Sequence, residues 1–335
     1  MQRPGISRPT SIRCGSRVQP LWARPKGSPS GDWSHARFLA CRASLGIGFL
    51  IVPAVAAAHA ASTDAGLAWH WQWSWQPWVV ACLSISAVLY VVGTARLWAH
   101  AGPGRGVSAQ QAANFALGWL ILALSLLSPL DSLGDKLFSA HMIQHELLMI
   151  AAAPLLVLGR PLAIWVWALP YAWRRAVGGF FHSPGWRIPW LVVTGPLVAW
   201  VLHALALWLW HIPALFEAAL KNEAIHTLQH VSFLGTALIF WWSVLGTTSR
   251  RSSGLALLSI FTTMVHTGAL GAILTLSRTP WYPSYADTTF QFGVTPLQDQ
   301  QIGGLVMWVP AGFVYIACGL GVATRLFNRS APALG

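Results

Sequence analysis

The sequence predicts an all-α membrane protein: a seven-transmembrane-helix bundle with its amino end outside and its carboxyl end in the cytoplasm. Three observations predict it. Of 335 residues, 55% are hydrophobic and 9% charged, against about 25% charged in soluble domains, so the chain cannot cover itself with polar groups and takes lipid as its solvent. Seven segments carry the roughly 20 apolar residues that cross a hydrocarbon core. Basic residues also alternate between successive loops in the way that sets orientation.

Residues 1–60 read as a basic leader and signal peptide. Up to residue 42 the chain is rich in Arg, Pro, Gly and Ser with no apolar period. A short apolar run from Ala43 to Ala57 then ends in Ala58-His59-Ala60, a small-residue cleavage pattern. Residues 61–77 form an outer segment in which, with Trp78, five tryptophans alternate with polar residues from Trp69 onward. Such a run suits the membrane–water interface.

The transmembrane domain is expected over 78–325, with spans at 78–98, 113–130, 137–158, 190–211, 227–246, 255–277 and 302–323, and a cytoplasmic tail over 326–335. Pro161 to Pro170 is apolar but too short to span and reads as an interfacial piece. One set of loops holds Arg96, Arg105, Arg160, Arg174, Arg175, Arg187, Arg250, Arg251, Arg325 and Arg329. The alternate set holds Lys136, Lys221 and Arg278, with the acids Asp131, Asp135, Glu217, Glu223, Asp287 and Asp299. The positive-inside rule puts the first set in the cytoplasm, which agrees with a cleaved signal. The longest outer loop, 278–301, can fold over the outer mouth. The expected home is the cell inner membrane, with lipid as the first partner.

The net charge of +12 does not indicate nucleic acid, because eight of the 21 basic residues lie before residue 43 and the rest sit in short interhelical gaps. Cys14, Cys41, Cys82 and Cys318 form no CxxC pair. Cys82 and Cys318 fall near opposite faces, beyond disulfide reach. A Gly-rich phosphate loop, a serine nucleophile elbow and convincing paired carboxylates are missing, so an ordinary enzyme is not expected.

The histidines are the chemistry-bearing feature, since ionisable groups within spans are costly and mark function. His141 and His145, and again His226 and His230, are spaced i, i+4, which sets both rings on one helix face. By helical rise, His141, His211, His226 and His230 form an outer layer. His145, His203 and His266 lie deeper, with Glu146 beside His145, and Met307 is about 9 Å below Gln301. Paired imidazoles can meet one ion, and they suit copper, zinc, iron or nickel, with thioether favouring Cu(I). The candidate metal residues are therefore His141, His145, His211, His226, His230, Met307, His203 and His266. A single buried histidine is also a common interhelical hydrogen-bonding group.

Three blocks carry a resemblance: His141-Met-Ile-Gln144-His145 running to Pro154 and Gly159-Arg-Pro161; Trp210-His211-Ile-Pro213-Ala-Leu-Phe216 with His226, His230 and Phe240-Trp241-Trp242; and Asp299-Gln300-Gln301 through Gly303-Gly304 to Met307-Trp308. Together they resemble the multi-span CtaG family, and not the single-span copper chaperone of the same name, which uses paired cysteines. The resemblance implies an assembly factor for cytochrome c oxidase that helps build its copper centres, with oxidase subunits and a periplasmic copper donor as partners. It carries over His141, His145, His211, His226, His230, Gln301 and Met307 as the functional set. The residues alone leave two alternatives open: a membrane haem protein, with axial imidazoles on facing helices, and a metal-ion transporter.

Overall fold

The structure, a computed structural model, describes residues 72–246 and 250–328. The leader, its cleavage pattern, His70 and Arg329 lie outside the described residues. Every regular element among the described residues is helical.

Helix α1 (Pro77–Ala101) begins with Pro77 in its first turn, where a missing N–H costs no hydrogen bond. It stops at Gly102, whose φ of 95° only glycine takes readily. Helix α2 (Ala109–Leu127) opens on a reciprocal cap, in which Ser108 Oγ accepts from Gln111 N–H and Gln111 Oε1 accepts from Ser108 N–H. That Ser-x-x-Gln signal starts the second span earlier than expected. Pro129 ends it earlier too, because the residue before a proline disfavours helical backbone and Ser128 is extended. A single turn and a half, α3 (Pro129–Gly134), follows.

The third span, Phe138–Leu158, is the most deeply buried. It is α4 (Phe138–Glu146), a π-helical stretch Leu147–Ala152, then α5 (Ala153–Leu158). Pro154 explains the widening: its ring displaces the carbonyl four residues back and it donates no N–H. Met149 carbonyl, inside the widened stretch, accepts from Trp241 Nε1 at 2.8 Å.

Arg160 then takes left-handed backbone, φ 53°, and turns the chain into α6 (Pro161–Ala168). This is the short apolar stretch expected at the interface. It lies along α1, with Ile164 buried where Gly93 leaves no room for a Cβ, and with Trp165 Nε1 donating to Ser86 carbonyl at 3.1 Å. Arg96 donates to the Ala168 carbonyl. Helix α7 (Tyr171–His182) buries no residue.

The fourth span differs from the straight helix expected over 190–211. It is α8 (Pro184–Val193) and α9 (Pro196–Trp210), bent by 63° at the break. Pro196 cannot donate across the junction, and Thr194 Oγ1 bonds back to Trp190 carbonyl instead. Among the described residues six helices are thus long and apolar enough to cross a membrane, or seven crossings if the bent pair is one. After α10 (Pro213–Lys221) come α11 (Glu223–Leu245), capped by Asn222 Oδ1, and α12 (Arg250–Leu276). Two 3₁₀ turns, Pro283–Tyr285 and Thr289–Phe292, lead into α13 (Pro296–Asn328).

Helices α12 and α13 approach closely where Gly271 faces Gly304, each leaving no space for a Cβ on the other, the small-residue packing typical of lipid-embedded pairs. The central core joins Phe233, Phe240 and Trp241 of α11 to Ile260 and Tyr315. Outward faces expose Val88, Val91, Phe261, Val265 and Phe313. Apolar outside and apolar inside is the pattern of a multi-pass membrane protein.

Candidate metal centre

Two helices that start at the same end of the bundle supply the site. His141 is the fourth residue of α4 and His226 the fourth of α11, with His145 and His230 one turn further along each. The four rings converge. Centroids are 4.3 Å apart for His141–His145, 4.2 Å for His226–His230, 5.2 Å for His141–His226 and 5.2 Å for His145–His230. Nitrogens of His141, His145 and His230 all lie within 4.8 Å of one another. Tetrahedral Zn–N bonds of about 2.0–2.1 Å place nitrogens roughly 3.3 Å apart, so small ring rotations bring these three onto one ion.

The centre is buried and its polar atoms lack partners. His141 and His145 are 0% and 1% exposed. Neither nitrogen of either ring has a hydrogen-bond partner, nor does Nε2 of His226 or His230, nor either amide atom of Gln229 between them. Buried polar groups are nearly always paired. A knot of imidazole nitrogens without close hydrogen bonds suits a metal-binding pocket, so the residues fit an ion, with Gln229 and the Gly134 backbone as polar neighbours of His141.

His211 follows α9 and is 3% exposed. Its Nδ1 donates to Leu207 carbonyl at 2.6 Å, which fixes the tautomer and leaves the unpartnered Nε2 with its lone pair free. It sits beside the same aromatics as the four-ring group, 6.5 Å from Phe216 and 6.2 Å from Phe233.

The other predicted residues lie elsewhere. Depth along the helices groups His145 with His203 and His266, but the helices bring it to His141 and His230. His203 stacks on Phe240 at 5.3 Å and its Nδ1 meets Thr236 Oγ1 at 3.2 Å. His266 lies edge-on to Trp200 at 5.7 Å. Met307 is buried among Phe138, Met142, Leu270 and Leu274. Gln301 donates to Ser277 carbonyl at 3.2 Å, closing the end of α12.

Two residues outside the candidate metal set hold the centre in place. Asp299, on α13, caps α4 from outside it: Oδ2 accepts from Phe138 N–H at 2.6 Å and Oδ1 from Ser139 N–H at 3.2 Å. Leu137, the residue before α4, offers no side-chain cap, so the orphan donors of the helix start are met by a distant carboxylate. Gln144 lies one place before His145, and its Nε2 donates to Ser125 carbonyl and Asp131 Oδ1, both at 2.8 Å. Gln144 stood within the histidine block and Asp299 within the third block, but nothing local showed that the acid caps another helix.

A cover closes the end of the site. Phe138, Phe216, Tyr282 and Tyr285 stack over it, with Phe216 5.1 Å from His141. Tyr282 Oη donates to His211 carbonyl at 3.0 Å and Tyr285 Oη to Gly134 carbonyl at 2.9 Å. Ser284 donates through N–H and Oγ to the Glu217 carboxylate, which also pairs with Lys221 at 2.9 Å. Burial pushes the Glu217 carboxyl up, but these hydrogen bonds outweigh it and hold the group below the ordinary carboxylate range. The loop that sequence length allowed to cross this end does cross it.

Fold and site together define a polytopic helical membrane protein with a buried imidazole centre near one end of the bundle. Comparison makes this particular: the chain belongs to the cytochrome c oxidase caa3 assembly factor family, whose model matches residues 88–329. Among curated proteins it is similar to uncharacterised proteins of Mycobacterium bovis and Mycobacterium tuberculosis, each 25% identical over 209 residues covering 57% of this chain and 31% of theirs. A Mycobacterium leprae relative, also uncharacterised, is 26% identical over 204 residues, covering 57% and 30%. The chain spans about a third of the length of these curated relatives. No solved structure matches.

Proposed function

We propose that this protein serves cytochrome c oxidase assembly by holding or relaying one copper ion on His141, His145, His226 and His230, at the outer side of the inner membrane. The observation that carries the reading is the convergence of four imidazoles, His141 and His145 buried and His226 and His230 partly so, with both nitrogens of the first pair and Nε2 of the second lacking a close hydrogen bond. His211 stands by as a further donor. Imidazole nitrogens hold an ion by lone-pair donation, so uptake and release need only ligand exchange. The α4 cap from Asp299 and the Gln144–Asp131 bond orient the His141–His145 face. An oxidase with copper centres selects copper among the metals that imidazole suits. Oxidase subunits and a periplasmic copper donor are the partners of this reading.

Two features favour a single ion over the alternatives. The cavity beside the rings is about 190 Å³, below the ~300–1,000 Å³ of small-molecule and cofactor pockets, which leaves little room for haem. Beyond His145 the bundle continues as Phe233, Phe240 and Trp241, all fully buried, which favours retention at one end over passage through the membrane.

The test is metal and haem content of the purified membrane protein after copper loading under reducing conditions, for wild type and for His141→Ala with His145→Ala. The expected outcome is copper near one per chain, lost in the double variant, with no haem absorption. A Soret band, or no retained copper in wild type, would overturn the proposal.

A further inference from the structure

The centre is closed at its end by the aromatic cover, yet it is not sealed at the side. A cavity between α1, α2 and α11 reaches the rings: His226 and His230 line it, together with Asp131, Cys82 and Ser86. It is part-enclosed and mostly apolar, but its polar groups form a graded set of metal donors, carboxylate, thiol, then imidazole. Asp131 has no Lys or Arg within ion-pair distance among the described residues. Its oxygens are met by neutral donors, Gln144 Nε2 and Ser74 Oγ. Its charge therefore stays uncompensated beside the cavity, where low-dielectric walls strengthen its pull on a cation. Cys82 is exposed and free, and it precedes the region matched by the family model. Nε2 of His226 and of His230 are both buried without a partner.

We propose that this side cavity is the port by which a soft monovalent metal cation reaches the imidazole centre, attracted by Asp131 and passed by the Cys82 thiol to His226 and His230. The inference rests on the metal-holding reading above. The order of donors has a chemical logic: a hard carboxylate attracts but binds a soft ion weakly, a thiol captures it, and a set of several imidazoles retains it. The Cys82 proton leaves to water as the ion binds sulfur and returns as the ion moves to imidazole, with no change in oxidation state.

The experiment uses the full chain in lipid nanodiscs, with Cys14, Cys41 and Cys318 replaced by serine, and cuprous ion presented from a competing chromophoric chelator under anaerobic conditions. Cys82 is then alkylated with a bulky maleimide. The expected result is loading slowed by at least about tenfold, the lower end of what cleft focusing contributes to capture, with the same final copper per chain. Ser86→Phe, which fills the cavity without touching a donor, slows loading likewise. Cuprous ion kept in excess over the filled centre protects Cys82 from alkylation. A labelled chain that loads at the unlabelled rate, with normal final copper, overturns the port and leaves the centre standing. That result, with labelling sensitive to the lipid used, identifies the cavity as a seat for an acyl chain. An unlabelled chain that retains no copper overturns both.

Discussion

Asp299 illustrates how one side chain outside a helix decides that helix's geometry. Its carboxylate supplies both the hydrogen-bond acceptors and the negative charge that a helix start favours. Asp299→Ala is expected to cost about 1–2 kcal/mol, the loss typical of a cap, read as a lower midpoint in mixed-micelle unfolding. It should also weaken copper retention, because His141 lies in the first turn that the cap orders. Gln144→Leu keeps the volume but leaves Asp131 and the Ser125 carbonyl without their buried donor. It is expected to cost about 1–3 kcal/mol by the same assay. At this scale the sequence was legible for residue type and spacing: two i, i+4 pairs on two helices sufficed to nominate the four rings that meet. It was not legible for partners. Asp299 and Phe138 are 161 positions apart, and depth along a helix axis says nothing of azimuth, which is why His145 was grouped with His203 and His266.

Elements carry the next set of consequences. The π-helical stretch in the third span changes which residues face α11 beyond Leu147, and it presents Met149 carbonyl to Trp241. Trp241→Phe retains the aromatic packing but orphans that carbonyl. The expected loss is about 1 kcal/mol, since lipid-embedded hydrogen bonds have modest net worth, with copper content unchanged. The covering loop behaves differently because its latch titrates. Glu217 sits below its ordinary value in the folded protein, so its contribution is present in full above the carboxylate range and is lost as pH falls through the lowered value. The expectation is a cover that stays shut at neutral pH and loosens only in strong acid. Glu217→Gln should loosen it at neutral pH and abolish the acid step, both followed by Trp281 fluorescence. Pro154 was plain in the sequence, but whether a proline kinks, ends or widens a helix depends on neighbours such as Trp241 that only packing supplies.

For the whole molecule, composition and hydropathy made the all-helical membrane class legible, and the spans other than the fourth fall within a few residues of their expected limits. The fourth span departed because Gly195-Pro196 breaks a run whose apolarity is continuous, and hydropathy has no term for direction. Loop charge gives the expectation that the end bearing the imidazole centre faces outward. A phosphatase reporter fused within the loop at Pro283 is expected to be active, and one fused after α13 inactive. Replacing Arg174, Arg175 and Arg187 by glutamine should raise the minority of inverted chains.

The capping of α4 by α13 has a bearing on biogenesis. During synthesis the two helices that contribute the four rings leave the ribosome well before Asp299 does. Until the last helix enters the bilayer, the start of α4 has unmet donors and the His141–His145 face is not fixed. A nascent chain would therefore acquire its imidazole geometry only after α13 is in place. The architecture itself thus delays the ordering of the His141–His145 face until α13 has joined the bundle.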